Sequence, residues 1–241
     1  MQQGSVSTRF VMTTQSKTII LTIVRHGQTD ANIKRIIDGQ GIDSPLNNIG
    51  LQEAQAAGKA LQNLTFNAAY SSDLKRAHKT CQIILDQNQA NSVMAENIKQ
   101  EILLREKHFG VFEGQTSYEW KAEKGTIGVD FTPKNGESEE TLQNRGKEFF
   151  QSVLKEVALI DHPVKMVPNV LIVTHGGFIR QLFSFLFVAL NCALPPNADF
   201  SSCANTCFST FKVEVCTKTF AVKSMECQDL FNADHLLSPI S

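Results

Sequence analysis

No C-x-x-C pair, no Walker-type glycine-lysine loop and no H-E-x-x-H helix occurs in this chain of 241 residues. The first absence argues against a zinc module, and the others against nucleotide-driven and metal-assisted reactions. Net charge is nearly absent too: 23 basic and 24 acidic side chains leave -1. No nucleic-acid or membrane partner is indicated, so an anion site has to be assembled locally. The apolar run from Leu182 to Leu190 is too short to span a bilayer and reads as a buried helix. No secretory apolar region precedes the six cysteines, which are read as reduced thiols of an intracellular protein. Cys203 and Cys207 have a spacing that zinc accepts, but no second Cys or His pair fits it, and neither metal nor cofactor is expected. Residues 1–17 are polar, rich in Ser and Thr and free of acidic side chains, and are read as a flexible tail. The expected location is cytoplasmic, with mitochondrial or nuclear association left open.

What the chain does contain is an alternation of strand and helix patterns. Thr18 to Val24 is almost wholly apolar, as a central strand buried on both faces requires. Asn47 or Asn48 caps a helix carrying Leu51, Ala54, Ala57, Leu61 and Leu64. A short strand at Asn67 to Tyr70 and a helix with Leu74, Ala77, Cys81 and Ile84 on one face follow. Ile102 to Leu104 reads as another strand, and beyond it glycines and Pro133 break the pattern as in a lid at about 111–137. Ser138 caps a long helix, Asn169 to Thr174 repeats the chemistry of the first strand, and Phe178 to Leu190 is helical. Thr206 to Val215 and Thr219 to Met225 form a terminal hairpin. The expected architecture is α/β: a single doubly wound, mostly parallel sheet flanked by helices, with residues 18–241 as one domain.

Two of the apolar strands end in histidine motifs, Arg25-His26-Gly27 and His175-Gly176-Gly177. Open α/β sheets bind ligands beyond the carboxyl ends of their strands, so neighbouring strands would bring both histidines to one rim. A neutral imidazole attacks phosphorus well, which makes His26 the candidate nucleophile. Phosphoryl transfer spreads negative charge over oxygen and calls for positioned cations, and Arg25 and Arg76 offer bidentate forks. His175 is a second donor, most effective when protonated; Asn32 and backbone amides near Gly176 add to it. An alkoxide leaving group needs a proton, and like charge from phosphate disfavours the ionised form of a nearby carboxylic acid; Glu106 is preferred over Glu113 because it directly follows a strand. Lid cations such as Lys124 or Lys134 are expected to meet a second phosphate.

Arg25-His26-Gly27, Ser72-Asp73-Leu74-Lys75-Arg76-Ala77, Leu104-Arg105-Glu106 and Thr174-His175-Gly176-Gly177 together resemble the histidine phosphatase, or phosphoglycerate mutase-like, superfamily. Within it the chain is most similar to the fructose-2,6-bisphosphatase type, on Ile36 to Asp43, Asn135-Gly136-Glu137-Ser138, Leu190 to Pro195 and the hairpin tail. The resemblance implies a phosphohistidine at His26, phosphate contacts from Arg25, Arg76, Asn32 and His175, and a proton donor at Glu106. It places Gln40, Gly41 and His108 on the substrate side. It also implies a sugar bisphosphate such as fructose 2,6-bisphosphate, or a bisphosphoglycerate, as substrate, and hence regulation of glycolysis. Two departures stand out: the interval from Glu106 to His175 is short, which trims the lid, and Phe109 replaces a tyrosine of the mutases. The alternatives are a mutase, a broad-specificity phosphatase, and a regulatory binding protein that keeps the pocket.

Overall fold

The computed structural model describes residues 16–90, 93–127, 131–160, 166–196, 198 and 203–237. In chain order the elements are β1 (Ser16–Arg25), α1 (Asp30–Lys34), α2 (Asn48–Leu61), β2 (Ala68–Ser71), α3 (Lys75–Asp86) and β3 (Lys99–Gln100). After them come α4 (Ser117–Ile127), α5 (Glu139–Leu159), β4 (Asn169–Thr174), α6 (Gly176–Val188), β5 (Phe208–Cys216) and β6 (Val222–Asn232). The six strands form one sheet in the order β3-β2-β4-β1-β5-β6. Strands β3, β2, β4 and β1 are parallel neighbours, while β5 and β6 add the antiparallel hairpin at one edge. This is the expected doubly wound sheet with a hairpin edge.

Alternate side chains of a strand face opposite sides, and β4, buried along its whole length, feeds two separate cores. Val170 and Ile172 pack with Ile19, Leu21, Phe149, Phe178 and Leu182 on the side covered by α5 and α6. Leu171 and Val173 pack with Ala57, Leu61, Ala77 and Ile84 on the side covered by α2 and α3. Each fully buried Leu, Ile or Phe here stabilises the fold by roughly 1.5–3 kcal/mol. Chain leaving β1 therefore turns toward one face and chain leaving β4 toward the other, which opens a crevice between them.

Local chemistry explains the helix limits. The Asn47 side chain accepts the Gly50 amide, and the Ser138 hydroxyl accepts the Thr141 amide, so two helices begin at side-chain caps. Acidic Glu139 and Glu140 favour the positive end of α5, and Lys17 from β1 donates to the carbonyls of Val157, Ala158 and Ile160 at its other end. Gly27 and Gly50 let the loop after β1 lie directly on the first turn of α2: a β-carbon on Gly50 would stand 2.1 Å from the Gln28 carbonyl oxygen.

Three boundaries differ from the sequence reading. Ile102–Leu104 is a single 3-10 turn, not a strand; only Lys99 and Gln100 pair with β2, because Ile102 faces solvent and offers the sheet nothing to bury. Ser16 and Lys17 belong to β1, since its partner β5 extends far enough to pair them with Cys216 and Val215; the rest of the supposed tail, residues 1–15, lies outside the described residues. The lid segment holds a helix, α4, packed through Trp120 against Phe109, Phe112 and Phe131. No helix among the described residues is long and apolar enough to cross a membrane.

Candidate active site

Arg25 of β1 pairs in register with Thr174 of β4, so the next residues, His26 and His175, leave the sheet side by side. Their imidazole centroids are 5.1 Å apart. Beside them lies a cavity of about 280 Å³ whose wall includes Arg25, His26, Asn32, Arg76, Glu106 and Gly176.

His26 is oriented by its own chain. Its Nδ1 lies 2.7 Å from the Gly27 carbonyl oxygen, which can only accept, so the ring proton sits on Nδ1 and Nε2 carries the lone pair. Burial, and after it the guanidinium groups of Arg76 and Arg25, push this histidine well below its ordinary range and keep it neutral. His175 is fully buried beside it, and neither of its ring nitrogens finds a hydrogen-bond partner. Burial first, and then the Arg76 guanidinium, push His175 well below its ordinary range as well.

Arg76 enters from the first turn of α3 with only 2% of its side chain exposed. Its Nη2 donates to the carbonyls of Asp38 and Gly39 at 3.1 and 2.9 Å, and Nη1 lies 3.6 Å from the Asp38 carboxylate. Burial raises Asp38 despite that arginine. Arg25 donates from Nη1 to the Cys203 carbonyl, while its buried Nε is unpartnered.

Glu106 sits at the start of α6. Its Oε2 accepts from the Gly177 amide at 2.9 Å and its Oε1 from the Phe178 and Lys107 amides at 3.0 and 2.8 Å. Those two helix amides, expected to serve phosphate, are thus engaged by the carboxylate. Arg145 from α5 fixes the backbone around it, donating to the carbonyls of Leu103, Arg105 and Glu106. Glu113, the competing acid, is turned away from the cavity and accepts the amides of Gln40, Gly41 and Phe109.

Not every candidate reaches the cavity wall. Gln40 donates its amide to the Glu106 carbonyl at 2.8 Å, Gly41 binds Glu113, and His108 accepts from the Gly110 amide. These three brace the loops instead of lining the space, because short polar turns satisfy their backbone groups locally. Lys124 is drawn to Glu139, at 3.0 Å, and Lys134 is likewise absent from the wall. Asn32 does line it: its carbonyl oxygen accepts from the Thr29 amide and from Asn205, which leaves the amide nitrogen as the outward donor.

Sequence reading missed three contributors. Arg180, exposed on α6, reaches the cavity wall one turn after Gly176, a spacing that could have signalled it. Arg145 carried no such signal. The turn at 203–207 grips the first histidine motif: Thr206 donates its amide to the carbonyls of Arg25 and His26, and the Arg25 amide donates to the Cys207 carbonyl at 3.1 Å. Asn205 adds a bond to the His26 carbonyl at 3.0 Å. Among the described residues no group of His, Cys, Asp and Glu is placed to hold a metal ion.

Known proteins are similar to this chain along most of its length. Fructose-2,6-bisphosphatase TIGAR B of Danio rerio is 36% identical over 91% of this chain and 96% of its own. Fructose-2,6-bisphosphatase TIGAR of Mus musculus is 34% identical over 74% of this chain and 81% of its own. In three dimensions a phosphoglycerate mutase from Bacillus anthracis superposes with a TM-score of 0.70 at 24% identity, covering 93% of this chain and 97% of that one. The pattern of the histidine phosphatase superfamily (branch 1) matches residues 21–226, and the chain belongs to that family.

Proposed function

We propose that this protein hydrolyses a phosphate ester of a sugar bisphosphate, of which fructose 2,6-bisphosphate is the first candidate and 2,3-bisphosphoglycerate the second. The relatives of Danio rerio and Mus musculus carry the first activity in their names. The observation that carries the reading is His26, a neutral imidazole with a free Nε2, standing in one cavity with the guanidinium groups of Arg25 and Arg76 and the carboxyl group of Glu106.

In the proposed reaction the Nε2 lone pair attacks phosphorus and the bond from phosphorus to the leaving oxygen breaks. Glu106 gives that oxygen a proton. Arg25, Arg76 and the Asn32 amide hold the equatorial oxygens, and a phosphoryl oxygen supplies the partner that buried His175 lacks. The phosphate charge opposes the arginine charge that helps keep His175 neutral, so its ring donates to a phosphoryl oxygen as the transition state forms. Water then attacks phospho-His26, Glu106 takes its proton, and the nitrogen-phosphorus bond breaks to release phosphate.

Arg180 supplies the cation for the second phosphate, the part assigned from sequence to the lid lysines. Phe109 offers that region of the wall an apolar ring and no hydroxyl, which suits release of phosphate more than its return to substrate. In this reading residues 18–241 act as one domain, with the segment at about 111–137 as its lid, and the partner is a small phosphorylated metabolite met in the cytoplasm.

The test is phosphate release from a panel holding both bisphosphates. His26→Ala is expected to lose on the order of 10³-fold or more in kcat. Equal turnover by the two proteins overturns the reading. Alkaline trapping of the reacted enzyme should yield phosphohistidine from the native chain alone.

A further inference from the structure

The six cysteines are buried, but two of them stand apart from the rest in their surroundings. Cys203 and Cys207 point their sulfurs at each other, 3.5 Å apart, across a turn closed by the Cys207 amide on the Ala204 carbonyl. The same turn holds the reactive motif. The Cys203 carbonyl takes the Arg25 guanidinium, the Cys207 carbonyl takes the Arg25 amide, and Thr206 between them bonds the carbonyls of Arg25 and His26. Thr206 has a φ of 56°, a left-handed backbone that leaves this turn little room to relax.

We propose that Cys203 and Cys207 are a redox modification site: peroxide oxidation joins them, and the new bond displaces Arg25 and His26 and lowers the phosphatase activity proposed above, on which this part of the inference rests. A disulfide requires the sulfurs to close from 3.5 Å to about 2.05 Å, and both are carried by the turn whose backbone holds Arg25 and His26.

The two thiols have different parts. The hydrogen bond shared with Cys207 favours the thiolate of Cys203, opposed by burial and helped by the nearby charges of Arg25 and Arg180. Cys207 is pushed up by its hydrogen bond with Cys203 and by burial, and stays a thiol. Cys203 also keeps 6% of its surface exposed against 1% for Cys207, so it meets a small oxidant first. The Cys203 thiolate attacks one oxygen of hydrogen peroxide, the oxygen-oxygen bond breaks, and the departing hydroxide takes a proton to become water. Cys203 is then a sulfenic acid. Cys207 attacks its sulfur, the sulfur-oxygen bond breaks, and hydroxide leaves with the Cys207 proton as a second water. Two electrons pass from the sulfur pair to the peroxide, and a dithiol reductant reverses the change.

The experiment exposes the full chain to hydrogen peroxide and reads intact mass, fragment masses and phosphate release. Native protein should lose the mass of two hydrogens, with the link located between residues 203 and 207. Its activity should fall by roughly 10- to 100-fold, as displaced catalytic groups cause, and return with dithiothreitol. Cys203→Ser, compared with its own untreated activity, should be insensitive. Cys207→Ser should carry a dimedone-trapped sulfenic acid at Cys203. Equal loss of activity in native and Cys203→Ser protein overturns the proposal, as does complete cross-linking with activity unchanged or inactivation with no cross-link. Reduced protein that releases no phosphate would overturn the proposed function instead, since the mass spectrum reads the cross-link by itself.

Discussion

Gly177 and Glu106 fit each other with no space to spare: the Gly177 amide donates to Oε2 at 2.9 Å, and a β-carbon on Gly177 would lie 2.4 Å from Oε1. The carboxyl group reaches the start of α6 only because this residue has no side chain. Gly177→Ala should push Glu106 out of place and lower kcat by roughly 10- to 100-fold, with a small change in melting temperature because the helix itself gains from alanine. Steady-state kinetics beside thermal denaturation will separate the two effects, and an unaltered kcat would refute the positioning.

Glu113 offers the opposite contrast. Its side chain is 8% exposed and holds the amides of Gln40, Gly41 and Phe109. Glu113→Ala leaves three donors without partners and is expected to destabilise the fold by about 3 kcal/mol. Glu106→Gln keeps its shape and should lose kcat first. Urea titration and turnover, measured on both variants, give the comparison.

Stability should depend on pH through His26 and His175. Both are held well below the ordinary value of 6.5 in the folded chain, chiefly by burial and by Arg76. In the unfolded chain they take up protons near that value, so below it the unfolded state binds more protons than the folded one. The stabilisation is complete above pH 6.5 and is lost as pH falls toward the folded-state values. The slope reaches at most about 1.4 kcal/mol per pH unit for each histidine. Denaturant titrations from about pH 7.5 down to about pH 5 should show it, and His26→Asn or His175→Asn should flatten it.

Arg180→Gln should raise KM for a bisphosphate several-fold while barely moving KM for p-nitrophenyl phosphate, which has one phosphate to bind. The exposed position of Arg180 on the cavity wall motivates the split. Parallel increases for both substrates would contradict a part confined to the second phosphate.

The sheet and the meeting of the two histidine motifs were legible because buried parallel strands are written as nearly continuous apolar runs, and Ile19 to Val24, interrupted only by Thr22, and Val170 to Val173 are such runs. Ile102 to Leu104 was misread for the same reason, since three apolar residues do not reveal a period. Arg76 was found through its place just after a strand, whereas Arg180 and Arg145 look like ordinary helix cations until the fold brings them in. Gln40 and His108 are not part of the cavity wall: the Glu106 carbonyl takes the Gln40 side-chain amide and the Gly110 amide takes His108 Nδ1. The 203–207 turn could not be foreseen, because its contacts to Arg25 and His26 join distant parts of the chain.

The pairing of β1 with β4 sets a timetable for the growing polypeptide. His26 is made early, but the strand that flanks it and the turn that clasps it are made late, so the nucleophile stays unassembled through most of synthesis. A nascent chain that has not yet made β4 and the turn at 203–207 therefore lacks the assembled site, and a product cut short before β4 would be inert as well as incompletely folded.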